Sequence, residues 1–276
     1  MTYLAFHAIF ILPPLLALPS VLSRAAERFG PRALWTLPAV AAIALVYTTP
    51  WDNYLVYRGV WWYGADRVIG TIGYVPVEEY LFFVLQPLVA GAWLYHILTR
   101  GLFGARGLFN SPALSGPTPR LDAVGSSGPA PGRLLAGQGS VRRLGLAAYA
   151  LATAAGVFAL TWPSGLYLGL ILVWASPVLA AQWAFVAGRV ARAPRTFVAA
   201  VSVPTAYLWV ADRVAIGAGV WSISPSATTG LHLLGLPVEE AVFFLVTNLL
   251  VVQGVLLFLG PALNASPRRA TALAHD

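Results

Sequence analysis

PVEEYLFF, residues 76–83, and PVEEAVFF, residues 237–244, are nearly the same phrase written twice in one chain. Upstream of each lies a second shared block. WDNYLVYRGVWWY from Trp51 is echoed by ADRVAIGAGVWSI from Ala211, so Asp52 matches Asp212, Gly59 matches Gly219, Val60 matches Val220 and Trp61 matches Trp221. The offset is 160 residues in the upstream block and 161 in the downstream one, which places a one-residue insertion between them. Such self-similarity marks a duplicated structural unit. Farther upstream the match thins to LPP at 12–14 and ASP at 175–177.

Composition sets the medium in which the duplicated unit works. Of 276 residues, 58% are hydrophobic and only 10% charged, a balance that points to lipid and away from water. The absence of cysteine excludes disulfides, thiolate nucleophiles and cysteine-held metals. His7, His96, His232 and His275 are scattered without metal-ligand spacing, so no metal site is expected. All 17 basic residues are arginine, which excludes a retinal-type Schiff base and other lysine chemistry. The net charge of +7 falls between apolar segments and not on one basic face, so a membrane explains it better than nucleic acid does.

Seven apolar runs are candidates to cross about 30 Å of hydrocarbon: residues 3–22, 34–50, 76–98, 144–162, 166–187, 196–211 and 237–259. No basic residue precedes the first apolar core, so that run reads as a retained helix and not as a secretory signal. In lipid the backbone must satisfy itself, which makes these runs helices. Numbering the connections alternately puts 3 arginines on the side of the N-terminus and 14 on the other. The positive-inside bias then predicts an outer N-terminus and a cytoplasmic C-terminus in a multi-pass cell-membrane protein. The expected fold is an all-α integral membrane protein of seven transmembrane helices, two parallel three-helix repeats plus one linking helix. The expected divisions are a first repeat at 1–100, a flexible cytoplasmic linker rich in Gly, Pro and Ser at 101–143, the linking helix at 144–164, a second repeat at 165–262 and a cytoplasmic tail at 263–276.

Four of the five glutamates, Glu78, Glu79, Glu239 and Glu240, stand in the duplicated motif. Proline followed by glutamates is good chemistry for a helix N-terminus, and for one such motif in a soluble helix that is sufficient reason. At the mouth of an apolar span, an acid drawn inward costs about 2 to 3 kcal/mol, so a duplicated pair of acids followed by Phe-Phe points to function. Glu78 and Phe82, like Glu79 and Phe83, share a helix face four residues apart. A carboxyl group among aromatic rings and lipid is costly to ionise and acts there as a proton donor. Protonating an alkene gives a carbocation, which ring faces stabilise and water quenches. Trp51, Trp61, Phe82 and Phe83 in the first repeat, with Trp62 and Tyr63 beside them, and Trp221, Phe243 and Phe244 in the second, are the candidate stabilising rings. For each ring, an ordinary place in an interfacial belt is the competing reading. Asp52 and Asp212 are candidates for counter-charge or proton acceptor, with structural pairing to Arg58 or Arg213 as the alternative.

The paired motif P-x-E-E-x-x-F-F, preceded by D-x6-G-V-W in a short polytopic chain, resembles the lycopene cyclase family of the integral-membrane type. Homologous halves occur there as two small subunits or as one fused polypeptide, and this chain resembles the fused form. The resemblance covers about residues 1–100 and 144–260 and includes no phytoene synthase domain of the kind attached in some fungal relatives. It implies cyclisation of the linear ends of lycopene to β-ionone rings, giving β-carotene through γ-carotene. That is the work of an intramolecular lyase, or isomerase, of carotenoid biosynthesis. Carried onto this chain, the catalytic acids are Glu78, Glu79, Glu239 and Glu240. The reaction has no net redox change, so no cofactor is required, and a non-redox flavin role stays open. The implied partners are lycopene or a related carotenoid, membrane lipid and other enzymes of the carotenoid pathway.

The second copy departs from the first, with Ala211 in place of Trp51 and Ser222 and Ile223 in place of Trp62 and Tyr63, so the two halves need not be equal. Besides a non-catalytic carotenoid- or lipid-binding scaffold whose acids serve as helix caps, two alternatives stand beside the reading. One is a cyclase of another carotenoid, forming ε rings or acting on a longer chain. The other is a small transporter of the parallel-duplicated plan, for which Pro13, Pro14, Pro177, Gln86, Pro87, Gln182 and Asn248 are the polar or helix-breaking candidates near mid-membrane.

Overall fold

The computed structural model describes residues 1–108 and 131–264, with backbone alone for 131–138 and 264. Seven long helical stretches dominate it: α1 (Tyr3–Phe29), α2 (Arg32–Tyr57), α3 (Val77–Arg100), α4 (Pro131–Ala159), α5 (Leu166–Arg192), α6 (Pro194–Gly217) and α7 (Val238–Asn264). Six of them, α1 to α5 and α7, contain segments long and apolar enough to cross a membrane. The sixth expected crossing, α6, is a helix where the sequence places one but is not in that group. Asp212 and Arg213 interrupt its apolar run near the end. This is a helical membrane protein with little sheet. The first helix is not regular, since a π-turn covers His7–Ile11 and a turn interrupts it at Leu16 and Ala17, after the prolines at 13 and 14.

The all-helical expectation missed six short strands. They are β1 (Trp61–Tyr63), β2 (Thr71–Ile72), β3 (Val75–Pro76), β4 (Trp221–Ile223), β5 (His232–Leu233) and β6 (Leu236–Pro237). Strands β2 and β3 form a small hairpin directly before α3, and β5 and β6 form its counterpart before α7. Strand β1 pairs antiparallel with β4 in the register Trp61↔Ile223, Trp62↔Ser222 and Tyr63↔Trp221. Since the two copies are offset by 160 here, Trp62 faces its own counterpart, and the flanking bonds Gly64 N to Val220 O at 3.0 Å and Ser224 N to Val60 O at 2.8 Å are counterparts too. The pairing is two-fold about a point between Trp62 and Ser222. Strands of two and three residues are too short to carry an alternation that can be read from sequence.

The G-V-W of each upstream block is the exit from a helix into these strands. After α2, Gly59 N bonds Val56 O and Val60 N bonds Leu55 O. After α6, Gly219 N bonds Ile216 O and Val220 N bonds Ala215 O. This is a Schellman end, and it requires the left-handed backbone that Gly59 (φ 64°) and Gly219 (φ 66°) adopt. The tryptophan that follows is thereby thrown to the same place in both halves.

The interval read as a linker, 101–143, is structured at both ends. Leu102–Leu108 forms a 3₁₀ turn with Ala105 and Leu108 buried, tied to α5 and α6 by Arg192 Nε to Gly107 O at 3.3 Å and Thr196 Oγ1 to Phe103 O at 2.9 Å. Helix α4 already begins at Pro131. The Gly-, Pro- and Ser-rich middle, 109–130, and most of the proposed tail, 265–276, lie outside the described residues.

Candidate active site

The first turns of α3 and α7 place four glutamates, and the structure divides them into two kinds. Glu78 is buried and its Oε1 accepts the Ile69 N–H at 2.8 Å. Glu239 is buried and its Oε1 accepts the Thr229 N–H at 2.7 Å and the Thr229 hydroxyl at 2.8 Å. Both therefore pin the loop that enters their own helix. Glu79 and Glu240, about 100° further round the helix, turn instead into one shared chamber of about 40 Å³.

The chamber is walled by Tyr3, Trp61, Tyr63, Phe82, Trp221, Phe243 and Phe244 around Glu79, Asp212 and Glu240. Glu79 Oε2 accepts from the Tyr3 hydroxyl at 2.6 Å and from the Tyr63 hydroxyl at 3.2 Å. Glu240 Oε1 accepts from the Tyr167 hydroxyl at 2.7 Å, and its carboxyl shares the chamber with that of Asp212. Two carboxyl groups brought together out of water hold there at least cost when one of them keeps its proton. Burial pushes the Tyr63 phenol well above its usual range, and the adjoining Glu79 adds to the shift, so Tyr63 holds its proton and donates a hydrogen bond to the Glu79 carboxyl.

Asp52 and Asp212 are both buried on the helices that lead into G-V-W. Asp212 Oδ1 accepts from Trp221 Nε1 at 2.9 Å, and Asp52 lies within electrostatic reach of Glu79 and Glu240. Neither pairing proposed for the arginines is formed, since Arg58 donates to the Tyr54 hydroxyl and Arg213 to the Leu234 carbonyl.

The aromatic candidates separate by position. Trp61, Phe82, Trp221, Phe243 and Phe244 face the acids, whereas Phe83 faces a neighbouring groove. Trp51 stacks between Trp174, at 4.5 Å, and Phe243, at 5.7 Å, so it stands behind the chamber wall. Trp221 of the second half packs on Tyr3 at 5.0 Å, and Trp61 of the first half packs on Tyr167 at 5.2 Å. Each half thus braces the phenol that serves the other half's acid.

Sequence reasoning missed Tyr3 and Tyr167 and took Tyr63 for a ring alone. A signal was present: Tyr-Leu at 3–4 and at 167–168 stand 164 apart, as do Pro13 and Pro177. The structure gives both tyrosines the same anchor, Tyr3 N to Arg67 O at 2.8 Å and Tyr167 N to Ala227 O at 3.0 Å. Of the polar residues considered for a transport path, Gln86 bonds Asn248 at 2.9 Å, and Asn248 bonds Thr205 at 3.1 Å and the Phe244 carbonyl at 2.8 Å. These bonds join α3, α7 and α6 and are satisfied within the bundle.

An apolar groove of about 210 Å³ adjoins the chamber and shares Phe82 and Phe243 with it. It runs between α2, α3, α5 and α7, past Val40, Ile43, Val178, Gln182 and Gly254 to Leu257 and Phe258.

Fold and site together define a membrane-type enzyme in which duplicated halves deliver acids to one aromatic chamber, suited to proton chemistry on an apolar substrate. The family model described as lycopene cyclase matches residues 1–98 and 164–258, and the chain belongs to that family. A lycopene beta-cyclase of Halobacterium salinarum is 42% identical over 93% of this chain and 95% of its own length. Bifunctional lycopene cyclase/phytoene synthases of Arthroderma gypseum and Colletotrichum graminicola are 35% and 39% identical over 92% and 79% of this chain, which spans 40% and 34% of their lengths. No solved structure matches the chain.

Proposed function

We propose that this protein is a lycopene β-cyclase that closes the linear ends of lycopene into β-ionone rings, giving β-carotene through γ-carotene. The observation that carries the reading is the meeting of Glu79 and Glu240, from the two copies of one motif, in a single aromatic chamber beside an apolar groove. The near full-length similarity to a lycopene beta-cyclase supports the substrate.

In the proposed mechanism the proton shared by Asp212 and Glu240 is delivered to the terminal alkene of the bound end. The neighbouring double bond attacks the resulting tertiary cation, a ring carbon–carbon bond forms, and the charge moves to a ring carbon. Phe82, Trp61, Trp221, Phe243 and Phe244 stabilise it by their ring faces and exclude water. Glu79, whose Oε2 is held in place by two phenol donors, acts as the base, takes the proton adjacent to the cation and leaves the ring alkene. Passing that proton back to the Asp212–Glu240 pair resets the site. No electrons are gained or lost, so the scheme uses no redox cofactor. Glu78 and Glu239 hold the loops that aim the two acids.

The same reading includes the membrane arrangement. All seven helices cross, α6 included, as two parallel three-helix repeats with α4 between them, the N-terminus outside and the arginine-rich side in the cytoplasm. The two-fold register of β1 and β4 supports the parallel duplication.

The test is expression in lycopene-accumulating bacterial membranes with chromatographic identification of the pigments. Monocyclic and bicyclic carotenoids with β rings are expected. Unchanged lycopene beside folded, inserted protein would overturn the proposal.

A further inference from the structure

A two-fold duplication should produce two lipid-side grooves, one on each flank of the chamber. The counterparts are in place. Tyr47 on α2 donates to the Trp174 carbonyl on α5 at 2.9 Å, and Tyr207 on α6 donates to the Phe10 carbonyl on α1 at 2.7 Å. Tyr47 and Tyr207 are 160 apart and Phe10 and Trp174 are 164 apart, the offsets of their respective blocks.

The two flanks are nevertheless closed differently. On the α2 and α5 side, Gly254 of α7 lies in the wall of the open groove, and a Cβ added there would meet only side-chain atoms, Gln182 Nε2 at 3.5 Å and Val40 Cγ2 at 3.7 Å. The counterpart of Gly254 on α3, 161 residues earlier, is Trp93. Its ring reaches from α3 to α6, donates from Nε1 to the Ala199 carbonyl at 3.0 Å and is stacked on His96 at 5.7 Å. His96 in turn stands where the open groove has Leu257. Trp93 thus occupies the flank that Gly254 leaves free.

The open groove follows α7 from Phe243 to Phe258, about 22 Å at the α-helical rise. Ile43, Tyr47 and Trp174 also line a second, shallower apolar hollow with Val46, Pro50 and Trp51. The occupant is argued from continuity with the chamber: the groove shares Phe82 and Phe243 with it, so a long apolar chain whose end sits among the acids can lay its remainder there.

We infer that Gly254 holds open the single groove in which the uncyclised remainder of the polyene lies, and that the two ends of the substrate are closed in separate binding events. The chamber holds one end, and the other lies away from the acids along the groove. The monocyclic product must therefore leave, turn round and enter again.

This inference rests on the lycopene cyclase reading, and the experiment separates the two. Membranes containing the wild-type chain are given labelled lycopene briefly and then excess unlabelled lycopene. Separate binding predicts that label stays in the monocyclic pigment during the chase, because fresh lycopene competes for the chamber. Label passing directly to bicyclic pigment overturns the inference while leaving the cyclase reading intact, and no ring formation at all overturns both. In parallel, the series Gly254→Ala, Gly254→Val and Gly254→Phe is expected to lower turnover in order of side-chain volume, at least tenfold for phenylalanine, at equal amounts of inserted protein with unchanged melting. Undiminished turnover in a folded Gly254→Phe variant overturns the role of the groove.

Discussion

Trp221 donates its indole N–H to Asp212 at 2.9 Å, whereas Trp61, its counterpart in the other half, is buried with its indole nitrogen unpartnered. The duplication has preserved the placement of both tryptophans and let only one hold an aspartate. Since Asp212 shares the chamber with Glu240, Trp221 fixes the placement of one member of the pair proposed to share the proton. Trp221→Phe leaves a buried carboxyl oxygen without its donor, a loss of about 1 to 3 kcal/mol. If that loss falls on the reacting geometry, turnover drops roughly tenfold. Trp61→Phe removes an N–H that already lacks a partner, so its initial rate should fall less. Equal losses in the two variants would show that ring area, and not the bond to Asp212, is what matters.

The division of the glutamates predicts two kinds of variant. Glu79→Gln and Glu240→Gln remove groups that exchange a proton with the substrate and should lower turnover by about 10² to 10⁴ while the protein stays folded. Glu78→Gln and Glu239→Gln keep an acceptor oxygen for the loop N–H. Their cost is a stability loss of about 1 kcal/mol, on the scale of a weakened helix cap, with turnover kept at the wild-type order. Pigment formation at matched expression, together with thermal melts in detergent, separates the classes. A Glu78→Gln variant as inactive as Glu79→Gln would return Glu78 to the chemistry.

The phenols should grade by their geometry. Tyr3 lies 2.6 Å from Glu79 Oε2 and Tyr63 lies 3.2 Å from the same atom, so Tyr3→Phe should cost more than Tyr63→Phe. A hydrogen bond to a charged group contributes about 1.5 to 3 kcal/mol, which sets the loss for Tyr3→Phe at roughly ten- to a hundredfold in turnover. The double variant leaves Glu79 without either donor and should exceed both. Initial rates in isolated membranes provide the comparison, and a Tyr3→Phe variant at the wild-type rate would remove Tyr3 from the positioning of Glu79.

Much of this architecture was legible because lipid imposes strong rules on sequence. Apolar runs show the helices, and a scarcity of acids makes four glutamates in two copies of one motif conspicuous. Which member of each pair enters the chamber was not legible, because successive helical residues differ only by direction and the motif is the same in both. The structure resolves it through Ile69 and Thr229, whose N–H groups claim Glu78 and Glu239. Tyr3 and Tyr167 were hidden for another reason. Their contacts cross 76 and 73 residues, and the first helices of the repeats have diverged, α1 being broken by a π-turn where α5 is continuous. The closure of one groove by Trp93 required knowing that the counterpart position holds glycine, a comparison that becomes meaningful only once α3 and α7 are superposed by their shared motif.

The last prediction concerns what holds the helices together beneath the chamber. Lipid offers helices little hydrophobic reason to associate, so packing and buried polar contacts carry more of the burden. Asn248 is buried on α7 and links three helices: its Oδ1 accepts from Gln86 of α3, and its Nδ2 donates to Thr205 of α6 as well as to the Phe244 carbonyl one turn earlier. Asn248→Leu preserves approximate volume and removes both cross-helix bonds, leaving the Gln86 amide without this acceptor. Interhelical bonds of this kind contribute about 0.6 to 2 kcal/mol each, so the pair predicts a destabilisation of about 1 to 3 kcal/mol. The acids are untouched, so the folded fraction should still form rings. A lowered melting midpoint in detergent with rings still produced at low temperature is the expected result. An unchanged midpoint with lost turnover would instead assign Asn248 a part in handling the substrate, since it lies one turn along α7 from Phe244 of the chamber wall.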